Sequence, residues 1–379
     1  MTYTVRAAEL TLLGWLMLEL TSSPLYVTLI GVFFGLPFLF FGLAIGSILD
    51  RTSKRHIILI AQGLSLITIT ILTTSIATGI VTPVHILVGI FFSGTGSTTD
   101  FLARRALIAT LVEKDDLATA TSLDITALTT SFLIGPATAG ILIATTGFTI
   151  AYALLFPILL GSLAIMLRSP RDILIKLPRQ GTSILEVLRI VSHNRPVLAA
   201  FLITVAMNFC AFPYQFLLPV IAQQSLSLGP IAYGLLSSAP GLGALPSALI
   251  VGNLSRHISV RVFCASSLIL LSAIFVFALS TSFILSLTVL FFGGFGFAGF
   301  GVLQTTLVLQ RTRPEIHGRA LGAIAFGIGT QPIGAFFLGI LSEVIEPTIA
   351  LAGTTALGLL LVIAITLILR LWGTPPQTS

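Results

Sequence analysis

The stretch LYVTLIGVFFGLPFLFFGLAIGSILDRTSKR, residues 25–55, decides the fold class. Leu25–Leu49 contains no charged side chain, and directly after it Asp50, Arg51, Lys54 and Arg55 crowd together. At a rise of about 1.5 Å per residue, a helix of that length crosses the ~30 Å hydrocarbon core of a bilayer. A strand of an outer-membrane barrel would alternate apolar and polar residues at every second position. Neither Leu25–Leu49 nor Ile349–Leu371 does so. The stretch therefore reads as a membrane-spanning helix ended by a polar, mostly cationic loop.

The same pattern repeats outward in both directions. Of the 379 residues, 55% are hydrophobic and 8% charged, too few to clothe a water-facing surface that needs about a quarter. Mean hydropathy is +1.08. Apolar runs and polar breaks predict spans over 6–21, 25–49, 56–80, 83–105, 117–145, 148–167, 197–222, 229–253, 259–281, 283–309, 320–342 and 348–371. Every second connection carries the lysines and arginines, with Arg6 and Arg370 flanking the termini. The connections Ala77–Val84 and Gln223–Pro230 carry none. Cations mark cytoplasmic loops, so both termini and the long middle loop are expected in the cytoplasm. That requires an even number of spans, and twelve fits.

The first span is expected to be short. Arg6 and Glu9 interrupt it, and a helix over 6–21 would measure about 24 Å. The net charge of +6 gives no reason to expect nucleic acid, because the cations sit in short clusters between spans and not along one face. Cys210 and Cys264 lie in apolar runs and read as reduced packing residues. Met1–Leu20 lacks the basic start and small-residue cleavage site of a signal peptide.

The chain divides into residues 1–167, a connection over 168–196, and residues 197–379. Within the connection, Ile184, Leu185, Leu188 and Val191 have helical spacing, opposite Glu186 and Arg189, as in a helix lying at the membrane surface. The two long segments resemble each other weakly. Phe91–Gly96 matches Phe291–Gly296, Leu49-Asp50-Arg51 matches Leu254-Ser255-Arg256, and Pro136 before Gly140 matches Pro332 before Gly339. Each match pairs a span with the one six places later. A parallel repeat of two six-helix bundles follows, an arrangement that encloses a site near the midplane.

Gly46-Ser47-Ile48-Leu49-Asp50-Arg51-Thr52-Ser53-Lys54-Arg55 fits the G-x-x-x-D-R-x-x-x-R loop signature of the major facilitator superfamily, between the second and third spans. Gly135-Pro136-Ala137-Thr138-Ala139-Gly140 resembles the G-P-x-x-x-G element of exporters in that superfamily. Trp15–Pro24, Asp100–Arg104 and Glu315–Ala320 resemble its enterobactin- and macrolide-exporter-like members, the transmembrane secretion effectors. Leu102 stands where those members have proline, and Ser255 replaces the aspartate in the second copy of the loop motif. Members usually have more chain before the tryptophan, so the start of this chain looks shortened. The resemblance implies an all-α fold of two pseudo-symmetric six-helix bundles. It also implies a cytoplasmic latch made by Gly46, Asp50, Arg51, Arg55 and Arg104 with the segment at Gly318-Arg319, and a pivot at Gly135, Pro136 and Gly140. It implies transport across the cell membrane by alternating access, with export as the expected direction.

Ionisable residues within spans are costly and so are functional candidates. Glu9 is the first candidate for coupling to protons, unless it is an interfacial residue at a frayed helix end. Asp124 is the second, with pairing to cytoplasmic cations as its alternative. Thr95, Thr98, Asn208, Gln215, Gln304 and Gln331 offer a polar cavity wall, and Phe33, Phe34, Tyr214, Phe295 and Phe297 offer rings. No buried cation is expected in that cavity, which favours a neutral or amphiphilic solute over an anion. The five histidines sit at span ends or in loops, with no metal-spaced pair and no nucleotide-binding loop, so neither a membrane-embedded enzyme nor an ATP-driven pump is indicated. The expected protein is a monomeric, cofactor-free, proton-coupled exporter of amphiphilic small molecules in the lipid bilayer. The alternative is an importer or uniporter of one small solute.

Overall fold

The apolar runs of the sequence become helices in a computed structural model that describes residues 1–49, 52–112, 116–169, 194–253, 260–312, 317–369 and 371. In the first half these are α1 (Thr2–Thr21), α2 (Pro24–Leu49), α3 (Lys54–Ala77), α4 (Pro83–Leu111), α5 (Leu117–Ala153) and α6 (Leu155–Arg168). The second half holds α7 (Arg195–Cys210), α8 (Tyr214–Val220) with a π-helical turn Ile221–Ser225, and α9 (Pro230–Asn253). It continues through α10 (Val260–Ala278), α11 (Phe283–Arg311), α12 (His317–Ile328), α13 (Gln331–Val344) and α14 (Pro347–Ile368). The surface-helix expectation for the middle connection falls on 170–193, outside the described residues.

Among the described residues the helices make up twelve crossings, three of them assembled from pieces. Gly147 sits inside α5 at φ 75°, a left-handed backbone conformation that residues with a Cβ adopt only at a cost. It separates the fifth crossing from the sixth, which α6 completes, as the polar break between 145 and 148 predicts. The seventh crossing is α7 plus α8, and the eleventh is α12 plus α13. Local chemistry starts the helices where the sequence allows. Thr82 and His85 cap α4 reciprocally with Pro83 in the first turn, and the Ser53 side chain accepts from the N–H of His56 at the head of α3.

The first crossing differs from expectation. α1 begins at Thr2 and not at Arg6, so its 20 residues span about 30 Å, enough for the bilayer core. The extra turn puts Arg6 and Glu9 inside the bundle instead of at its rim.

Large apolar side chains cover the outside. On α3, Ile60, Ile67 and Ile71 point outward on one face, as Leu360, Leu367 and Ile368 do on α14. Such stripes are rare on soluble monomers and suit a hydrocarbon surround. Inside, the two bundles meet along two helix pairs, α5 with α9 and α2 with α13. A Cβ at Gly140 would lie 2.5 Å from the carbonyl oxygen of Pro230 and 2.9 Å from Cα of Gly234, so the glycines let the α5 and α9 backbones touch. On the other seam the ring of Pro332 in α13 packs onto Gly35 of α2. The fifth crossing thus meets the eighth, and the eleventh meets the second, as a repeat of six crossings requires.

Candidate functional site

A cavity of about 240 Å³ lies between the bundles, where the helices of the second half break. Pro213 has no N–H to continue the ladder, so α7 stops at Cys210 and α8 restarts at Tyr214. Gly329 and Thr330 separate α12 from α13, with Pro332 in the first turn beyond. Interrupted backbone at membrane depth is tolerated where it is buried in protein or lines an aqueous cavity. The breaks turn Phe212, Tyr214, Gln215 and Gln331 toward the cavity, and Asn208 joins them from the last turn of α7. Three of the six expected polar wall residues, Asn208, Gln215 and Gln331, therefore line it. Gln304 lies behind α7, its Nε2 donating to Thr204 Oγ1 at 2.7 Å. The Thr95 hydroxyl donates to its own helix, to the Phe91 carbonyl, and Thr98 is buried in α4. Of the expected rings, Phe34, Tyr214 and Phe297 reach the cavity, whereas Phe33 packs against the core and Phe295 stacks on Phe292.

The first half contributes a residue the sequence reading placed elsewhere. Arg6 lines the cavity, its guanidinium 4.6 Å from the centre of the Phe34 ring. Among the described residues no carboxylate lies within 4.0 Å of it. The expectation of a cavity without a cation is thus overturned. The reason is the extra turn of α1, which carries Arg6 one turn deeper than a helix beginning at that residue would.

Glu9 lies on the other side of Arg6, within the first bundle. It is 2% exposed. Its Oε1 accepts from the Tyr152 hydroxyl at 2.7 Å, and its Oε2 accepts from the Ser93 hydroxyl. It is therefore an ordered interior carboxylate and not part of a frayed end. Beside it is a chamber of about 30 Å³, lined by Arg6, Glu9, Gln62, Ser93 and Asp100 among others. That is room enough for a water molecule. Gln62 Nε2 donates to Asp100 at 3.2 Å, while Gln62 Oε1 is buried without a hydrogen-bond partner among the described residues. Further toward the start of α1, Arg104 Nη2 reaches both Asp100 oxygens, at 3.0 and 2.9 Å, and the Thr2 hydroxyl at 2.9 Å. Asp124 accepts from the Tyr3 hydroxyl at 3.0 Å and lies 3.9 Å from Arg105. Asp124 thus ties α5 to α1 and does not line the central cavity.

The profile of the transmembrane secretion effectors matches residues 8–377, nearly the whole chain. The chain belongs to the transmembrane secretion effector family of the major facilitator superfamily. Among relatives of this family, the enterobactin exporter EntS of Salmonella typhi is 26% identical over 360 residues, covering 90% of this chain and 84% of that protein. Macrolide efflux protein A of Streptococcus pyogenes is 22% identical over 325 residues, covering 79% and 76%. Among solved structures, a POT family transporter in complex with 5-aminolevulinic acid superposes with a TM-score of 0.74 at 10% identity, covering 97% and 94% of the two chains. The nucleoside transporter NupG superposes with a TM-score of 0.67 at 14% identity, covering 97% and 96%. The fold is the major facilitator fold, and the chain is a multi-pass membrane transporter, not an enzyme.

The latch and pivot positions implied by that family are only partly visible. Asp50 and Arg51 lie outside the described residues, as does the side chain of Arg319; Gly46 falls in the last turns of α2. Arg55 donates to the carbonyls of Met166 and Leu167, at 3.2 and 2.6 Å, and so caps the end of α6. Arg104 is engaged with Asp100 and Thr2 in its own bundle. Gly135 admits α1, since a Cβ there would lie 2.8 Å from that of Ala7, and Pro136 presents its carbonyl to Gly234.

At the end remote from the basic loops the bundles are joined directly. Glu343 of α13 accepts from the Ser23 hydroxyl and, at 3.1 Å, from the N–H of Leu25. Gln224 donates to the Ser22 carbonyl at 3.3 Å, and the Trp15 and Tyr233 rings lie 5.3 Å apart. A carboxylate from one bundle thus caps the N-terminus of α2 in the other, where the helix dipole favours negative charge. No sequence signal marked Glu343.

Proposed function

We propose that this chain exports small amphiphilic molecules across the cell membrane by alternating access of the central cavity, with Glu9 carrying the proton that energises the cycle. The observation that carries the reading is the cavity at the helix breaks between the bundles, which Glu343, Gln224 and the Trp15–Tyr233 pair join at the end remote from the basic loops. With the basic loops and both termini in the cytoplasm, these contacts would close the outer side in the state that loads from inside. Asp50, Arg51, Arg55, Arg104 and Arg319 would close the cytoplasmic side in the opposite state, and the Gly135–Gly140 segment would pivot against α9. The bundle boundaries near 167 and 197, a monomeric carrier and a proton as co-substrate belong to the same reading. The enterobactin and macrolide exporters among the relatives support the direction.

The test uses everted membrane vesicles with an acidified lumen and a panel of amphiphilic dyes. Dye addition is expected to release the proton gradient, and Glu9→Gln to abolish that release without loss of inserted protein. Unchanged release in Glu9→Gln would exclude Glu9 as the coupling group. A second reading, co-transport of an anion with a proton, is favoured by one observation: Arg6 lines both the cavity and the Glu9 chamber. A proton on Glu9 and an anion on Arg6 then strengthen each other's binding. The same vesicles separate the two, because exchange releases the gradient as solute enters the lumen and co-transport deepens it.

A further inference from the structure

We propose that the solute held in the central cavity carries an anionic group, bound by Arg6, on an apolar or aromatic body enclosed by the phenylalanine rings. The inference rests on reading the central cavity as the transport site and holds whichever way the proton moves.

A guanidinium has five N–H donors and no acceptor. In Arg6 its face is turned to the Phe34 ring, and among the described residues no carboxylate lies within 4.0 Å of it. A cation in a low-dielectric interior is expensive unless it is paired. No aspartate or glutamate is among the residues lining the cavity, and the nearby Glu9 carboxylate is occupied by Ser93 and Tyr152 on the chamber side. Arg6 is therefore the charged side chain of the described cavity lining, and it is a cation. A cationic solute would be repelled, and a neutral one would leave the donors unmatched. A carboxylate, sulfonate or phenolate would match them, with two parallel bonds available to a planar carboxylate.

The rest of the wall sets the body of the solute. Phe132 of α5 and Phe297 of α11 meet edge to face at 6.1 Å, and Phe212 at the α7 break meets Phe297 at 6.0 Å. Rings from both bundles thus form one aromatic surface of the cavity wall. Gln215 and Gln331 offer amide groups at the margin. The volume of about 240 Å³ is below the usual range of drug pockets and suits a solute of about two fused rings.

The test measures equilibrium binding to the purified full-length protein in lipid nanodiscs, using three matched probes: 2-naphthoate, neutral 2-naphthamide and cationic 2-naphthylmethylammonium. Naphthoate is expected to bind at least about tenfold tighter than naphthamide, and the ammonium weakest. Arg6→Gln should bring the ratio of naphthoate to naphthamide affinity close to one, and Arg6→Lys should keep part of the preference. A thermal unfolding transition like that of the parent protein shows that the variants are folded. A ratio of naphthoate to naphthamide binding that Arg6→Gln does not move, an ammonium that binds best, or no naphthoate binding at millimolar concentration would each overturn the proposal. A filling variant, Ser237→Trp in the cavity wall, should weaken all three probes. If it weakens none, the cavity reading itself fails; if it weakens all while the Arg6 results are negative, only the anion assignment falls.

Discussion

Arg6 and Glu9 are three positions apart on α1, close enough to interact, yet they do different work. Arg6 lines both the central cavity and the chamber, while Glu9 is confined to the chamber. The charged and titratable groups around Glu9 are Arg6 and Tyr3 from its own helix, Asp100 from α4 and Tyr152 from the end of α5; α3 contributes the neutral Gln62. An ionised Glu9 offsets part of the field of Arg6. Replacing it with the neutral glutamine should therefore tighten 2-naphthoate binding a few-fold at pH 8 and flatten its pH dependence, because protonation also removes that negative charge. Proton movement should be lost in the same variant. Loss of both binding and proton movement would instead make Glu9 a structural support for Arg6. Glu9 was legible in the sequence as an acid inside an apolar run. Arg6 was not, because a first span starting at residue 6 put it at the rim.

At the scale of elements, the crossings were legible because the bilayer demands a fixed length of apolar helix, and Gly147 falls in the polar break that separates the fifth from the sixth. The interruptions of the seventh and eleventh crossings were not. Proline alone does not mark them, since the helices around Pro37, Pro136, Pro240 and Pro246 run on past the proline. Whether a proline breaks a helix or is absorbed depends on what neighbouring helices offer the freed carbonyls, and that is tertiary information. The seam between α5 and α9 makes a sharper prediction. Gly140→Leu would drive a side chain into the Pro230 carbonyl and Gly234. Overpacking of this kind costs about 1–3 kcal/mol. It should lower thermal stability and suppress transport in proteoliposomes. Gly63→Leu on α3, where a Cβ meets nothing within 4 Å, should change neither. Equal effects of the two would show that the seam tolerates separation and that Gly140 is not a bearing surface.

On the proposed alternating-access reading, the whole molecule is a balance between two closures at opposite ends. The positive clusters and the loop motif at one end announce themselves in the sequence, because cations between spans have few other uses. The closure at the other end depends on one carboxylate meeting a helix N-terminus across the bundle boundary, and nothing in the sequence pairs Glu343 with Ser23 and Leu25. Glu343→Gln removes the charge that favours the capped N-terminus of α2 and weakens both hydrogen bonds. The group is exposed, so screening keeps the effect small, about 1 kcal/mol or less, and the population shift correspondingly a few-fold. A single cysteine placed at Ser237 in the cavity reports it, since the native Cys210 and Cys264 are buried. Labelling by a membrane-impermeant maleimide from the outer face should quicken a few-fold in Glu343→Gln. Asp50→Asn, which removes the carboxylate of the opposite latch, should slow that labelling and cut transport severely while the protein remains folded. Both variants leave the cavity wall untouched, so shifts in opposite directions would tie each carboxylate to its own closure. Identical labelling in both would mean that the ends are held by packing alone, with Trp15 against Tyr233 sealing one side whatever the charge at Glu343.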